Sequence, residues 1–333
     1  MLVFYNGPVH TLDNTERKPT AVACVGGTIR QVGSSDDIHQ RFPSPDRSVN
    51  LRGRTLVPGF IDSHIHLGRL SLDLRKIQLR DAESLSDALT RVQNRADDVS
   101  GEEWLQSACD WHENQLKEQR FPTRWELDDV SNGHPVILYR GVHNAVVNSE
   151  ALKRAGIDEK ADDPEGGHFV RDSNGRLTGW LQEDPAIEPV QECIPEPDAH
   201  EYKQAMKEGI HKLNSVGVTS IRDARLRPDD VRIYQRLYER GQLDVKATLC
   251  PFIAPDRSAE DELDMWGSMG ISTGFGNERI RIGPLKMFAD GGVETAMLTE
   301  DYANQPGYRG LAVTPRETID TVIDWAGDHS WGV

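Results

Sequence analysis

The sequence has few cysteines, few lysines and no long apolar run, and each shortage excludes something. Four cysteines in 333 residues, Cys24, Cys109, Cys193 and Cys250, are scattered without a C-x-x-C pair. Neither a disulfide framework nor a cysteine zinc site is indicated, and reduced thiols are the expectation. No apolar stretch approaches the ~18 residues that a membrane helix requires. The N-terminus, Met1-Leu-Val-Phe-Tyr-Asn-Gly-Pro8, has no basic segment ahead of an apolar one and does not read as a secretory signal. A soluble, cytoplasmic protein is the default expectation. Internal repeats and low-complexity tracts are also missing.

Positive charge is scarce as well. There are 31 Asp and 23 Glu against 28 Arg and only 10 Lys, for a net charge of −16. Nucleic acid and anionic membranes are held through basic patches that release counterions, so this balance argues against both as partners. Acid excess with little lysine also resembles the surfaces of salt-adapted proteins; an ordinary acidic cytosolic enzyme fits the same numbers.

What is present divides into three stretches. Leu2–Tyr5 is followed by Asn6-Gly7, a hairpin signal, and Ala21–Val25 and Thr28–Val32 flank Gly26-Gly27. A short helix at Asp36–Phe42 and a Pro/Ser/Asp loop at 43–48 complete a small β-domain over residues 1–56, too small for much core of its own. Thr55-Leu-Val-Pro-Gly-Phe-Ile-Asp-Ser-His-Ile-His-Leu67 reads as a strand buried on both faces. Further buried strands are expected at Val218–Asp223, Val245–Cys250 and Ile280–Asp290. Helices are expected at His200–Val216, Asp229–Arg240 and from Thr314-Pro315 to about His329. Alternating strands and helices indicate βα units and a parallel sheet. Residues from about 73 to 197 interrupt the alternation with a helix at Ser84–Asp98, a strand at Pro135–Arg140, a helix from Asn148 and turn-rich runs, and read as an α+β insertion after the first strand.

The chemistry gathers at the end of the first buried strand. Residues i and i+2 of a strand share a side, so Asp62, His64 and His66 project together. Two neutral imidazoles so placed can share one metal ion. A lone H-x-H is a weak signal, but here it stands within Val57-Pro-Gly-Phe-Ile-Asp-Ser-His-Ile-His-Leu67. That segment resembles the first barrel strand of the amidohydrolase superfamily. Other blocks narrow the resemblance to the amidohydrolase 3, YtcJ-like branch. They are Pro122-Thr-Arg-Trp-Glu-Leu-Asp128, Pro135-Val-Ile-Leu-Tyr-Arg140, His143-Asn-Ala-Val-Val-Asn-Ser149, Asp163-Pro-Glu-Gly-Gly167, Gly217-Val-Thr-Ser-Ile-Arg-Asp223 and Leu285-Lys-Met-Phe-Ala-Asp-Gly291. Their order and spacing extend the resemblance along the whole chain.

The resemblance implies an α/β fold: a (β/α)8 TIM barrel of the metallo-dependent hydrolase type, with a small β-sandwich-like N-terminal domain. About the first four βα units would lie in residues 57–333. It also implies one or two divalent metal ions, zinc first among the candidates, that activate water for attack on amide-type carbon–nitrogen bonds other than peptide bonds. His64 and His66 match the strand-one ligands. Lys286 matches the strand-four lysine that, when carboxylated, bridges two metals; the alternative is an ordinary lysine paired with Asp290 at i+4. His143 and Asp290 match substrate-facing positions. At His143 the usual Arg-Asp-Gly-His is Arg140-Gly-Val-His143, so a structural histidine is an equal alternative, and Asp290-Gly291 could simply turn the chain. The metal ligands of strands five and six and the general-base aspartate of strand eight have no counterpart, so no catalytic residue is assigned. The expectation is an N-terminal portion that does not turn over by itself and acts with the rest on a small amide-type substrate, with a homodimer as the candidate assembly. The alternative is a non-catalytic or regulatory member of the same family.

Overall fold

The computed structural model describes all residues except 14–17, 101, 142, 165, 166, 256, 291–295, 304 and 305. The chain forms two compact units, residues 1–62 with 217–220, and residues 63–216 with 221–333.

In the first unit, β1 (Leu2–Tyr5) lies between β2 (Ala21–Val25), antiparallel to it, and β4 (Arg47–Asn50), parallel to it. β3 (Thr28–Gly33) adds outside β2, for an order β3-β2-β1-β4. Gly26 and Gly27 both have positive φ (59° and 81°), the geometry of a two-residue hairpin turn. The other turn signal plays a different role. Asn6 does take a left-handed φ of 63°, but the next strand begins only at Ala21. Gly7 is needed because a Cβ there would lie 2.3 Å from the Arg54 carbonyl oxygen. Helix α1 (Ser35–Arg41) is capped by Ser34, whose hydroxyl accepts from the Asp37 amide. It places Ile38 against Val3, Ala21 and Ala23 in a small core.

The insertion folds as a five-stranded sheet. Its strands are β6 (Leu105–Gln106), β7 (Val136–Arg140), β8 (Asn144–Val147), β9 (His168–Arg171) and β10 (Leu177–Gln182), in the order β6-β7-β8-β10-β9. Alternate residues go to opposite faces. Val136, Leu138 and Val146 pack with Val92 and Leu127, whereas Ile137, Ala145 and Val147 pack with Leu152, Leu181 and Val190. Both faces are therefore covered. On one side lie α3 (Leu85–Asp98) and α4 (Arg124–Val130), on the other α5 (Ser149–Arg154) and α6 (Asp184–Gln191). Each central strand buries apolar side chains on two sides, at about 1.5–3 kcal/mol apiece for the larger ones.

A second α/β sheet carries the strands expected to hold the site. β5 (Phe60–Ile65), β11 (Val218–Leu226), β12 (Lys246–Pro251) and β13 (Ile280–Ile282) lie in the order β13-β12-β11-β5. β12 and β13 are parallel, Ala247 opposite Ile280. Each strand precedes a helix: α2 (Leu67–Asp73), α8 (Pro228–Glu239), α9 (Ala259–Gly267) and α10 (Arg316–Asp328). A further helix, α7 (Ala199–Ser215), leads into β11 and packs on α2 through small residues. A Cβ on Gly209 would stand 2.0 Å from the Ser71 hydroxyl, and one on Gly68 would stand 1.9 Å from the Tyr202 hydroxyl.

Three local expectations change. The strand expected over 280–290 ends at Ile282, because Pro284 has no N–H for the ladder. Pairing resumes only as isolated bridges, Phe252 with Lys286 and Asp290 with Ala312. The strand expected to be buried on both faces leaves Phe60 60% and Ile61 73% exposed, since β5 is an edge with one neighbour among the described residues. The strand expected to end at Asp223 runs on to Leu226, so Asp223 is buried within β11.

Candidate metal centre

His64 lies in the last turn of pleat of β5, and His66 occupies the N-cap position of α2. The strand-to-helix transition turns the chain between them, so the rings meet edge to face, centroids 5.3 Å apart and planes at 87°. The His66 Nδ1 lies 2.8 Å from the Ala224 carbonyl oxygen. A carbonyl can only accept, so Nδ1 carries the proton and Nε2 keeps its lone pair. Burial also pushes the His66 pKa down. The Ala224 hydrogen bond opposes this, and the charges of His64, Arg225 and Arg69 add to the lowering. The net lowering favours a neutral imidazole, and the hydrogen bond to Ala224 places its proton on Nδ1, which leaves the Nε2 lone pair available as in metal-binding histidines.

A cavity of about 270 Å³ opens beside His64, lined among others by Arg222, Cys250 and Lys286. Lys286 is held by its backbone: its amide donates to the Pro251 carbonyl (2.7 Å), and its own carbonyl accepts from the Ile253 amide (2.9 Å). Its Nζ sits 4.9 Å from the Phe288 ring centroid, and among the described residues no carboxylate pairs with it. The Lys286–Asp290 pair is thus not formed. The Asp290 carboxylate instead accepts from the Met297 amide at 2.9 Å. Arg222 Nε points at the Cys250 sulfur, 3.4 Å away. Among the described residues that line it, the charged side chains are those of Arg222 and Lys286, and Val333 lines it as well.

The structure therefore brings His64 into contact with His66 and into one cavity with Lys286. His143 and Asp290 do not line that cavity. His143 stands on the turn between β7 and β8, its Nδ1 2.9 Å from Glu183. Gly291 lies outside the described residues. Among the described residues no group of three or more His, Cys, Asp or Glu side chains could enclose a metal. What is present among the described residues is two imidazole donors with a lysine nearby that has no carboxylate partner there, a donor set that fits a divalent ion.

Sequence reasoning missed the buried support behind these histidines. Asp223 is 1% exposed and accepts from the Tyr234 hydroxyl at 2.6 Å, while Tyr202 donates to Asp230 at 3.0 Å. Burial pushes the Asp223 carboxyl up to about 7, against the opposing effects of Tyr234 and the Leu67 amide. The available signal was a carboxylate inside an apolar strand, followed eleven residues later by a tyrosine on the helix that returns to it.

A family model described as the amidohydrolase family matches residues 47–333. The amidohydrolase homologue YtcJ of Bacillus subtilis (strain 168) is 29% identical over 331 residues, covering 96% of this chain and 60% of that protein. An N-substituted formamide deformylase of Arthrobacter pascens is 29% identical over 249 residues, 73% of this chain and 46% of that enzyme. The fold is that of a metal-dependent hydrolase from Pyrococcus horikoshii OT3, with a TM-score of 0.74 at 24% identity over 99% of this chain and 63% of that one. The chain thus spans less than two thirds of the length of these relatives. Matched along almost all of its own length, it belongs to the amidohydrolase family, in the amidohydrolase 3, YtcJ-like branch.

Proposed function

We propose that this chain supplies the metal-binding part of a metal-dependent hydrolase that cleaves amide-type carbon–nitrogen bonds, other than peptide bonds, in small molecules. The observation that carries the reading is the His64–His66 pair, with His66 fixed by Ala224 in the tautomer that leaves Nε2 free. In this reading His64, His66 and Lys286 hold the metal, and the four βα units are part of a (β/α)8 barrel. The metal, zinc or a similar ion, supplies Lewis acidity that brings the pKa of bound water to about 7.

The remaining steps belong to the chain. Ala224 holds the His66 proton on Nδ1, which leaves the Nε2 lone pair available, and burial favours the neutral ring. The Arg222 and Lys286 side chains in the cavity lining suit the negative charge that develops on a carbonyl oxygen under attack. Lys286, without a carboxylate partner among the described residues, could lose a proton to solvent, and its amine nitrogen could then bond CO2 and release a second proton to give a carbamate, which would exchange a half-buried cation for an anionic ligand. His143, paired with Glu183, and Asp290 are the candidates for substrate contacts outside the cavity. The name of the Arthrobacter relative supports a small N-substituted amide as substrate.

The test is a panel of N-substituted formamides, simple carboxamides and cyclic ureides. It is assayed with the 333-residue chain and with a version completed across the length its relatives span. Chelator-sensitive hydrolysis by the completed form and none by the chain alone is the expected result. Hydrolysis indifferent to chelator would contradict the reading.

A further inference from the structure

The residues behind His66 form a layered support. The Ala224 carbonyl accepts a hydrogen bond from the ring's Nδ1–H, and Asp223, one residue earlier, projects to the opposite side of β11. There its Oδ2 accepts from Tyr234 on α8, a residue with no solvent exposure. The Leu67 amide, next in the chain after His66, is directed at the same carboxylate. Asp223 Oδ1 closes no full hydrogen bond. One residue on, Arg225 has φ of 71° inside a strand, a left-handed conformation that is costly for any residue but glycine. The peptide unit whose orientation this φ sets is the one that carries the Ala224 carbonyl. The Arg225 guanidinium lies over the Phe252 and Phe288 rings, 5.3 and 5.7 Å from their centroids. A buried Tyr–Asp pair costs more than an apolar pair of similar volume, so its placement against the histidine arm calls for a role.

Resting on the metal-centre reading, we propose that Asp223, held by Tyr234, is a positioning residue for His66. It fixes the segment of β11 that presents the Ala224 carbonyl and steadies the amide that follows the histidine. His66 is thereby kept in one tautomer and one direction before any metal arrives.

The experiment uses the full 333-residue chain with Asp223→Ala, Asp223→Asn, Tyr234→Phe and His64→Ala. Cobalt(II) affinity is measured by calorimetry and visible absorption, and the His66 tautomer is read from ring 15N shifts of the metal-free chain. Asp223→Ala is expected to weaken cobalt binding about ten- to a hundredfold, and to replace the Nδ1–H signature with a tautomer mixture. Asp223→Asn, the same shape with an acceptor kept, is expected to restore most of both. Tyr234→Phe is expected to fall between. A folded Asp223→Ala chain with unchanged affinity and tautomer overturns the proposal. If that variant does not fold, an unaltered tautomer in Tyr234→Phe overturns it instead, and a mixed one supports it. Absence of cobalt binding by the unsubstituted chain, or binding that survives His64→Ala, overturns the metal-centre reading; the tautomer then decides the positioning role alone.

Discussion

At the scale of single residues, the site is defined by which atoms are already satisfied. His66 spends Nδ1 on Ala224 and retains Nε2, while Lys286 is anchored by its backbone and, among the described residues, leaves its amine without a carboxylate. Asp223 has the most unusual titration behaviour among these groups. Its carboxyl titrates near 7 in the folded chain against an ordinary value of 3.8. Between those values the folded state holds the proton and the unfolded state does not, so stability falls as pH rises across the window. The contribution is complete below about pH 4 and gone above about pH 7. Urea midpoints of the unsubstituted chain should therefore decline relative to Asp223→Asn between pH 4 and 7. Parallel curves would mean that burial does not raise the carboxyl. Sequence alone pointed to His64, His66 and Lys286 because strand periodicity and the resemblance placed them. It could not show Asp223 to be buried or the Lys286–Asp290 pair to be absent, because both depend on side-chain directions that spacing does not determine.

At the scale of elements, the local signals that were read correctly are those with a short-range cause. Gly26-Gly27 makes its hairpin, and the helix expected at Ser84–Asp98 forms as α3, Leu85–Asp98, with Ser84 accepting from the Asp87 amide at its N-cap. The misread ones depended on distant partners. Asn6-Gly7 serves a close approach to residue 54 rather than a hairpin, and Pro284 ends β13 well before the apolar pattern does. The α2–α7 contact was not visible in periodicity, although it places the helix that begins at His66. With a Cβ 2.0 Å from Ser71 Oγ and 3.0 Å from Leu67, Gly209→Ala must push the helices apart. A loss of about 1–3 kcal/mol is expected, typical of overpacking. Chemical denaturation measures it, and a neutral result would show the contact to be soft. Loss of the α4 cap by Thr123→Ala, where Thr123 and Glu126 form a capping box, should cost about 1 kcal/mol by the same assay. A change within error would remove the box from the account of that helix.

At the scale of the whole molecule, the alternation of strand and helix was legible, and so was the interruption that became a separately layered sheet. The covering of β5 was not: an apolar run looks the same whether a neighbour lies on one side or both, and here Phe60 and Ile61 remain exposed. Among the described residues no helix is long and apolar enough to cross a membrane. The net charge of −16 makes ionic strength a variable of the molecule as a whole. If the carboxylate-rich surface is a salt adaptation, the melting temperature should rise through molar KCl, beyond the range where simple screening saturates. A flat response would mark the acidity as that of an ordinary acidic surface. The central claim, however, is that His64 and His66 together bind a divalent metal. Its most direct measurement is calorimetric titration of the metal-free chain with zinc, repeated on His64→Ala and His66→Ala. The account predicts binding by the unsubstituted chain that either substitution abolishes; binding that persists in both variants would contradict it.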